Sequence, residues 1–182
     1  MLFLTDPQRT PHPERDAEGL PCGSAVVFRA FGAPDAVAQG WRLRAVTRRR
    51  GLVLLVGADP GLARAIGADG VHLPERLAHR AGALRRSRPG WIVTAAAHDE
   101  AAVRRARRAG AQAVLVSPVF ESASASAGRP MGVLRFAALV RRAGLPVYAL
   151  GGIDAGTAQR LTSTGAAGVA AVSALIRSEV RT

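Results

Sequence analysis

Gly67-Ala68-Asp69-Gly70-Val71, Gly110-Ala111-Gln112-Ala113-Val114 and Gly165-Ala166-Ala167-Gly168-Val169 share the form Gly-Ala-x-x-Val. Each closes a helical pattern and opens a short apolar run. The first glycine suits the residue just past a helix end, where the backbone turns to a positive φ, and the valine begins a strand. Arg142-Ala143-Gly144-Leu145-Pro146-Val147 is a variant of the same junction. A chain that repeatedly passes from helix to strand in this way is built of strand-then-helix units.

Reading outward from the junctions gives strands at Leu2–Thr5, Ala25–Ala30, Leu52–Val56, Gly70–Leu73, Trp91–Ala95, Ala113–Val116, Val147–Leu150 and Gly168–Val172. Most are continuously apolar, as strands buried on both faces must be, which points to a parallel sheet. Helical patterns lie between them at Asp35–Arg49, Pro60–Ile66, Glu75–Arg86, Asp99–Ala109, Val133–Ala143 and Ala155–Thr164, with a short last one from Ala174. Eight such units predict a single (β/α)₈ TIM barrel over residues 1–182. The 182 residues are few for a fold of ~250. Pro7, Pro11, Pro13 and Pro21 locate part of the shortage, because they predict a first crossover eroded to a loop. A doubly wound open sheet is the alternative, but no Gly-x-Gly-x-x-Gly follows the first strand.

Composition narrows the function. The apolar fraction of 48% and charged fraction of 21% are those of a globular chain, and no apolar run is long enough to span a membrane. The N-terminus meets Asp6 and Pro7 too early for a signal peptide, and a single cysteine, Cys22, excludes a disulfide framework. A cytoplasmic protein is expected. All 25 basic residues are arginine, which rules out Schiff-base chemistry and a Walker lysine. The net charge of +12 comes largely from arginine clusters near helix ends, where the helix dipole favours cations. With 4% aromatic residues, no base-stacking surface for nucleic acid is expected.

Barrel chemistry lies where strands end. The polar residues there are Asp6, Arg29, Asp59, His72, Glu75, His98, Asp99, Ser117, Glu121, Asp154 and Ser173. Asp99 and Asp154 each precede a helix and serve equally well as N-caps, and His72 is more readily a hydrogen-bonded core histidine than a base. Two stretches are sharper. Gly151-Gly152 after the seventh strand and Ser173-Ala174 after the eighth suit a phosphate, which paired backbone amides and a helix N-terminus attract. The long loop Ser117–Gly132, rich in serine, alanine and glycine, has the composition of a lid over a site.

These stretches together resemble the thiamine-phosphate synthase family and its relative TenI, both small (β/α)₈ barrels. The resemblance is carried by Leu2-Phe3-Leu4-Thr5-Asp6, Gly67 to Leu73, Ser117-Pro118-Val119-Phe120, Gly151-Gly152-Ile153 and Gly168 to Ala174. It implies that Ser122 and Ser124 contact a thiazole and that Gly151, Gly152, Ser173 and Ala174 hold its phosphate. It also exposes losses. Of the family's Gln-x-Arg-x-Lys stretch only Arg29 remains, its Asn-Asp pair falls on Gly57 and Ala58, and its second magnesium-binding Asp falls near Leu77. A serine after the fifth strand falls on Ala96 and a loop lysine on Ala125. The histidine proposed as acid/base in TenI falls on Pro118, which leaves Glu121 or His98 to move a proton.

The resemblance thus implies a barrel that binds a thiazole-phosphate-like ligand, TenI-like in its degenerate diphosphate side, with no metal or other cofactor. The expected partner is a small phosphate ligand, not nucleic acid or membrane, and association of like copies is left open. One alternative is an active synthase joining an aminopyrimidine diphosphate to thiazole phosphate, which would need Mg²⁺. The other is a non-catalytic phosphate sensor or partner subunit docking through the arginine-rich helices.

Overall fold

A computed structural model describes residues 1–122 and 128–172. Its eight strands are β1 (Leu2–Leu4), β2 (Ala25–Phe28), β3 (Val53–Gly57), β4 (Gly70–Leu73), β5 (Ile92–Ala97), β6 (Ala113–Val116), β7 (Val147–Ala149) and β8 (Gly168–Ala171). They form a closed barrel in chain order. Every neighbouring pair is parallel, and the ring shuts with Leu2 beside Ala170 and Phe3 beside Ala171. This is the (β/α)₈ barrel that the junctions predict.

The outer helices are α1 (Pro13–Glu18), α2 (Ala36–Arg49), α3 (Pro60–Ala65), α4 (Ala81–Ser87), α5 (Glu100–Arg108), α6 (Val133–Ala143) and α7 (Ala155–Gln159). Three differ from the sequence-based expectation. The first crossover is not wholly a loop, because Pro13 opens a six-residue helix at a position where the missing N–H is no loss. The pattern from Glu75 to Arg86 divides into a 3₁₀ turn, Glu75–Arg80, followed by α4. Helix α7 stops at Gln159, five residues early. The helix expected from Ala174 lies outside the described residues.

Strand parity divides the core in two. Leu2, Leu4, Val27, Leu55, Leu115 and Ala170 point inward and pack with each other inside the ring. Phe3, Val26, Phe28, Leu54, Val56, Val71 and Val93 point outward and meet the helices. Both faces of each strand are therefore dry, which is why the strands are continuously apolar.

The three repeated junctions behave alike. Gly67, Gly110 and Gly165 adopt φ of 64°, 93° and 79°; the first two follow the ends of α3 and α5, whereas Gly165 lies in a turn beyond α7. In the first two, the third residue of the motif also pairs with the neighbouring strand. Asp69 N–H donates to Leu54 O while Asp69 Oδ2 accepts from Leu54 N–H, both at 2.8 Å. Gln112 does the same to Val93, at 2.8 and 2.9 Å. Asp69 further accepts both Arg44 guanidinium nitrogens at 2.8 Å, which ties α2 to the foot of β4.

Gly70 is the tightest point of this foot. A Cβ there would overlap the backbone of Ile92 on β5. Since backbone cannot step aside as a flexible side chain does, Gly70→Ala should cost at least about 3 kcal/mol, at the upper end of overpacking effects. Urea unfolding monitored by circular dichroism measures it, and a loss below about 1 kcal/mol would contradict the close approach.

Candidate functional site

The inward residues at the strand ends do not fill the ring. A cavity of about 800 Å³ opens there, a size suited to a small ligand. Its floor follows strand alternation: Arg29 continues the inward parity of Ala25 and Val27, Gly57 that of Val53 and Leu55, and His72 that of Gly70. Ala96, Ser117, Leu150, Gly151 and Gly152 complete the other side.

Arg29 is the anchored cation of the site. Its Nε donates to Thr5 O at 2.6 Å and its Nη2 to Asp6 Oδ2 at 3.4 Å. Its backbone N–H donates to Thr5 Oγ1 at 2.9 Å, and the guanidinium lies 5.2 Å from the Phe31 ring centre. Burial pushes the guanidinium pKa down, while the Asp6 carboxylate pulls it back up. Arg9 lines the same cavity and was not a sequence candidate. Its place follows from Asp6 Oδ1, which accepts from the N–H groups of Gln8 and Arg9 and folds the loop after β1 over the mouth. No local pattern signals that return.

His72 is buried, and its Nδ1 lies 2.9 Å from Thr94 Oγ1 on β5. Burial first, and the Arg29 charge second, hold its pKa down to about 4, so the ring is neutral near pH 7. It is a hydrogen-bonded core histidine with an edge on the cavity.

Three acids act as helix caps. Asp59 Oδ1 accepts from Leu62 N–H, Asp99 Oδ1 from Ala102 N–H, and Asp154 forms a capping box with Thr157. Hydrogen bonds from the Thr157 backbone and side chain lower the Asp154 pKa. Asp59 also lines the cavity.

Of the site residues expected from the sequence, Arg29, His98, Glu121, Ser122, Gly151 and Gly152 all line this one cavity. Ser124, Ser173 and Ala174 lie outside the described residues. Gly151 and Gly152 have φ of 91° and 65°, and crowding also requires them. A Cβ on Gly151 would come 2.8 Å from Pro118 Cα, and one on Gly152 would overlap Glu121 O. The loop after β6 is laid across them, with Val119 N–H donating to Leu150 O and Phe120 N–H to Gly151 O. The paired glycines therefore let two loops meet at the cavity rim.

Proteins of known family match most of this chain. The family model described as thiamine monophosphate synthase matches residues 4–175. A thiamine-phosphate synthase of Methylococcus capsulatus is 38% identical over 163 residues, covering 84% of this chain and 70% of that one. One from a Roseiflexus species is 35% identical over 145 residues, covering 79% of this chain and 61% of that one. The match thus spans less than two thirds of the Roseiflexus protein's length. Among solved structures, a thiamine phosphate pyrophosphorylase from Pyrococcus furiosus superposes with a TM-score of 0.84 at 27% identity, over 98% of this chain and 87% of that one.

The buried imidazole sets an acid sensitivity. An unfolded histidine takes its proton near pH 6.5, whereas folded His72 resists until about pH 4. Stability from this residue is thus complete above pH 6.5 and is lost as pH falls toward 4. The shift corresponds to about 3 kcal/mol. Urea unfolding at pH 7 and pH 4.5 should show that loss shrinking by at least about 1 kcal/mol in His72→Gln. An equal loss in both proteins would show that His72 is not the group.

Proposed function

The chain belongs to the thiamine monophosphate synthase family, and from that premise we propose that it binds a thiazole-phosphate-like ligand in the barrel mouth, as the TenI branch does, and is a poor synthase. The supporting observation is the position of Arg29 over Gly57. A Cβ at Gly57 would come 3.1 Å from Arg29 Cγ and 3.4 Å from Phe28 O. The arginine stem therefore occupies the space that a longer residue at position 57 would use. Ala58 and Ala96 beside it bring no hydrogen-bonding side chain to the cavity.

This asymmetry favours one of the two family activities. A synthase must hold a departing diphosphate with several charges at once, and each such contact is typically worth ~10²–10³ in rate. Arg29 and Arg9 are the cations on the cavity wall among the described residues, and Arg29 is partly neutralised by Asp6. By the resemblance, a magnesium ion would need oxygen donors at Ala58 and near Leu77; neither residue carries one, and the nearby acids that could substitute are engaged, Asp59 in capping α3 and Glu75 in accepting from His98 and Arg105. No three His, Cys, Asp or Glu side chains gather as a metal ligand set among the described residues. The residues do not fit the metal, and no step is assigned to it. The rim at Ser117, Ser122, Gly151 and Gly152, by contrast, keeps hydroxyls and backbone amides suited to a phosphate.

Thiazole phosphate should raise the melting temperature, with a stabilisation of about 2.7 kcal/mol at a hundred times its Kd. No shift at millimolar ligand removes the proposal. Given both synthase substrates and Mg²⁺, the protein should form thiamine phosphate at least about a hundredfold below a typical turnover of ~10 s⁻¹. Ordinary turnover in a chromatographic assay would instead establish the active synthase.

Position 58 offers a way back. Ala58 adopts φ of 63°, a conformation that aspartate and asparagine tolerate better than alanine. Ala58→Asp combined with Phe31→Lys and Ala125→Lys should therefore fold and increase synthase turnover measurably. A correctly folded triple variant with unchanged turnover would show that the diphosphate side is not what limits the reaction.

A further inference from the structure

Phe31 falls on the lysine of the Gln-x-Arg-x-Lys stretch, so a phenyl ring replaces a cation at the cavity mouth. The side chain is 70% exposed, and its backbone is strained. Phe31 adopts φ of 47° and Gly32 φ of 79°, so two successive residues turn left-handed. A single exposed phenylalanine needs no explanation, but a bulky residue at positive φ is rare and costs stability. Among the described residues, Phe31 and Ala58 are the non-glycine residues at positive φ. Both line the main cavity, on the loops after β2 and β3. Strain of this kind persists where the surrounding structure enforces it, and it gathers at functional sites.

The surroundings of the phenyl ring suit a flat partner. Arg29, fixed by Thr5 and Asp6, holds its guanidinium 5.2 Å from the ring centre. Phe31 also lines a second hollow of about 490 Å³ beside the main cavity. Ala30, Gly32 and Ala33 keep the walls of this hollow small, and Pro7 and Gln8 line it from the loop after β1. A flat group laid here meets an aromatic face and the plane of an arginine, and both stack on aromatic rings. A second anion would instead meet a phenyl ring and the Asp6 carboxylate, which already takes part of the Arg29 charge. Arg9 and Arg29 on the same wall repel a cationic ring.

The order of the strands sets the reach of the ligand. In the eight-strand barrel β2 and β6 stand four places apart, so Phe31 lies across the mouth from Ser117. Resting on the reading of the rim as a phosphate site, we propose that an uncharged aromatic ring of the ligand stacks on Phe31. This side of the mouth then selects a ring where the family holds a diphosphate. The ligand is a phosphate ester whose aromatic part is long enough to span the mouth.

The test titrates the full chain by calorimetry with phenyl phosphate and 2-naphthyl phosphate, which share the phosphate and differ by one fused ring. Thiazole phosphate is the control for the rim. The wild type should bind 2-naphthyl phosphate about tenfold tighter than phenyl phosphate, the gain expected of one added aromatic contact. Phe31→Ala should remove that preference, and Phe31→Tyr should keep it. Phe31→Lys should weaken 2-naphthyl phosphate and tighten inorganic diphosphate instead. Equal affinity for the two aryl phosphates in the wild type overturns the stacking role and leaves the phosphate reading standing. So does a naphthyl preference that survives in Phe31→Ala, or binding of thiazole phosphate with neither aryl phosphate. A Phe31→Ala variant that melts earlier and loses all three ligands in equal proportion shows a structural role and also overturns it. No binding of any of the three ligands by the wild type removes both proposals.

Discussion

Closure of β1 onto β8 leaves no strand with an unpaired edge, and the rest of the molecule is placed by that ring. A closed parallel ring must be dry inside and outside, so each strand carries apolar residues at both parities. Where a polar residue breaks that rule, it lies at the mouth or has a partner: Arg29 on Thr5 and Asp6, His72 on Thr94. The cavity is what remains when the inward residues at one end become too small to fill the ring, as at Gly57 and Ala96.

The helix-to-strand junctions hold the other end. Each glycine turns the chain at positive φ, two of them at helix ends, and Asp69 and Gln112 then bind both the N–H and the C=O of a residue on the adjoining strand. The third junction has Ala167, which makes only the backbone half of this pairing, donating to Val147 O. Asp69 is the most connected of the three, since it also takes the Arg44 fork. Fixing the foot of the barrel in this way leaves the mouth free to vary in sequence without loss of the fold, the division of labour usual for barrels.

The mouth itself is lopsided. Toward β2 and β3 the wall is an anchored arginine lying over a glycine, with alanine alongside. Toward β6 and β7 it is a meeting of two loops over paired glycines. Between them stands His98, oriented by Glu75. That contrast between a wall with few polar side chains and a rim of hydroxyls and backbone groups is what the proposed ligand assignment rests on.

The sequence by itself determined the strand-then-helix order, most strand positions and the family, because glycine at helix ends and apolar runs are local consequences of backbone sterics and burial. It also placed Arg29, His98, Glu121, Gly151 and Gly152 at strand ends and, through the resemblance, singled out Ser122, and the ring gathers all of these at one cavity. It misjudged the first crossover, since Pro13 at a helix start is harmless although four nearby prolines suggest a loop. Only the tertiary structure decided which candidates pair. Arg9 reaches the cavity through a loop folded by Asp6, the Arg29 stem covers Gly57, and Glu75 meets His98 across 23 residues of chain. The physical reason is that closing a ring brings together residues from neighbouring units, and a contact between units leaves no periodic trace in either one.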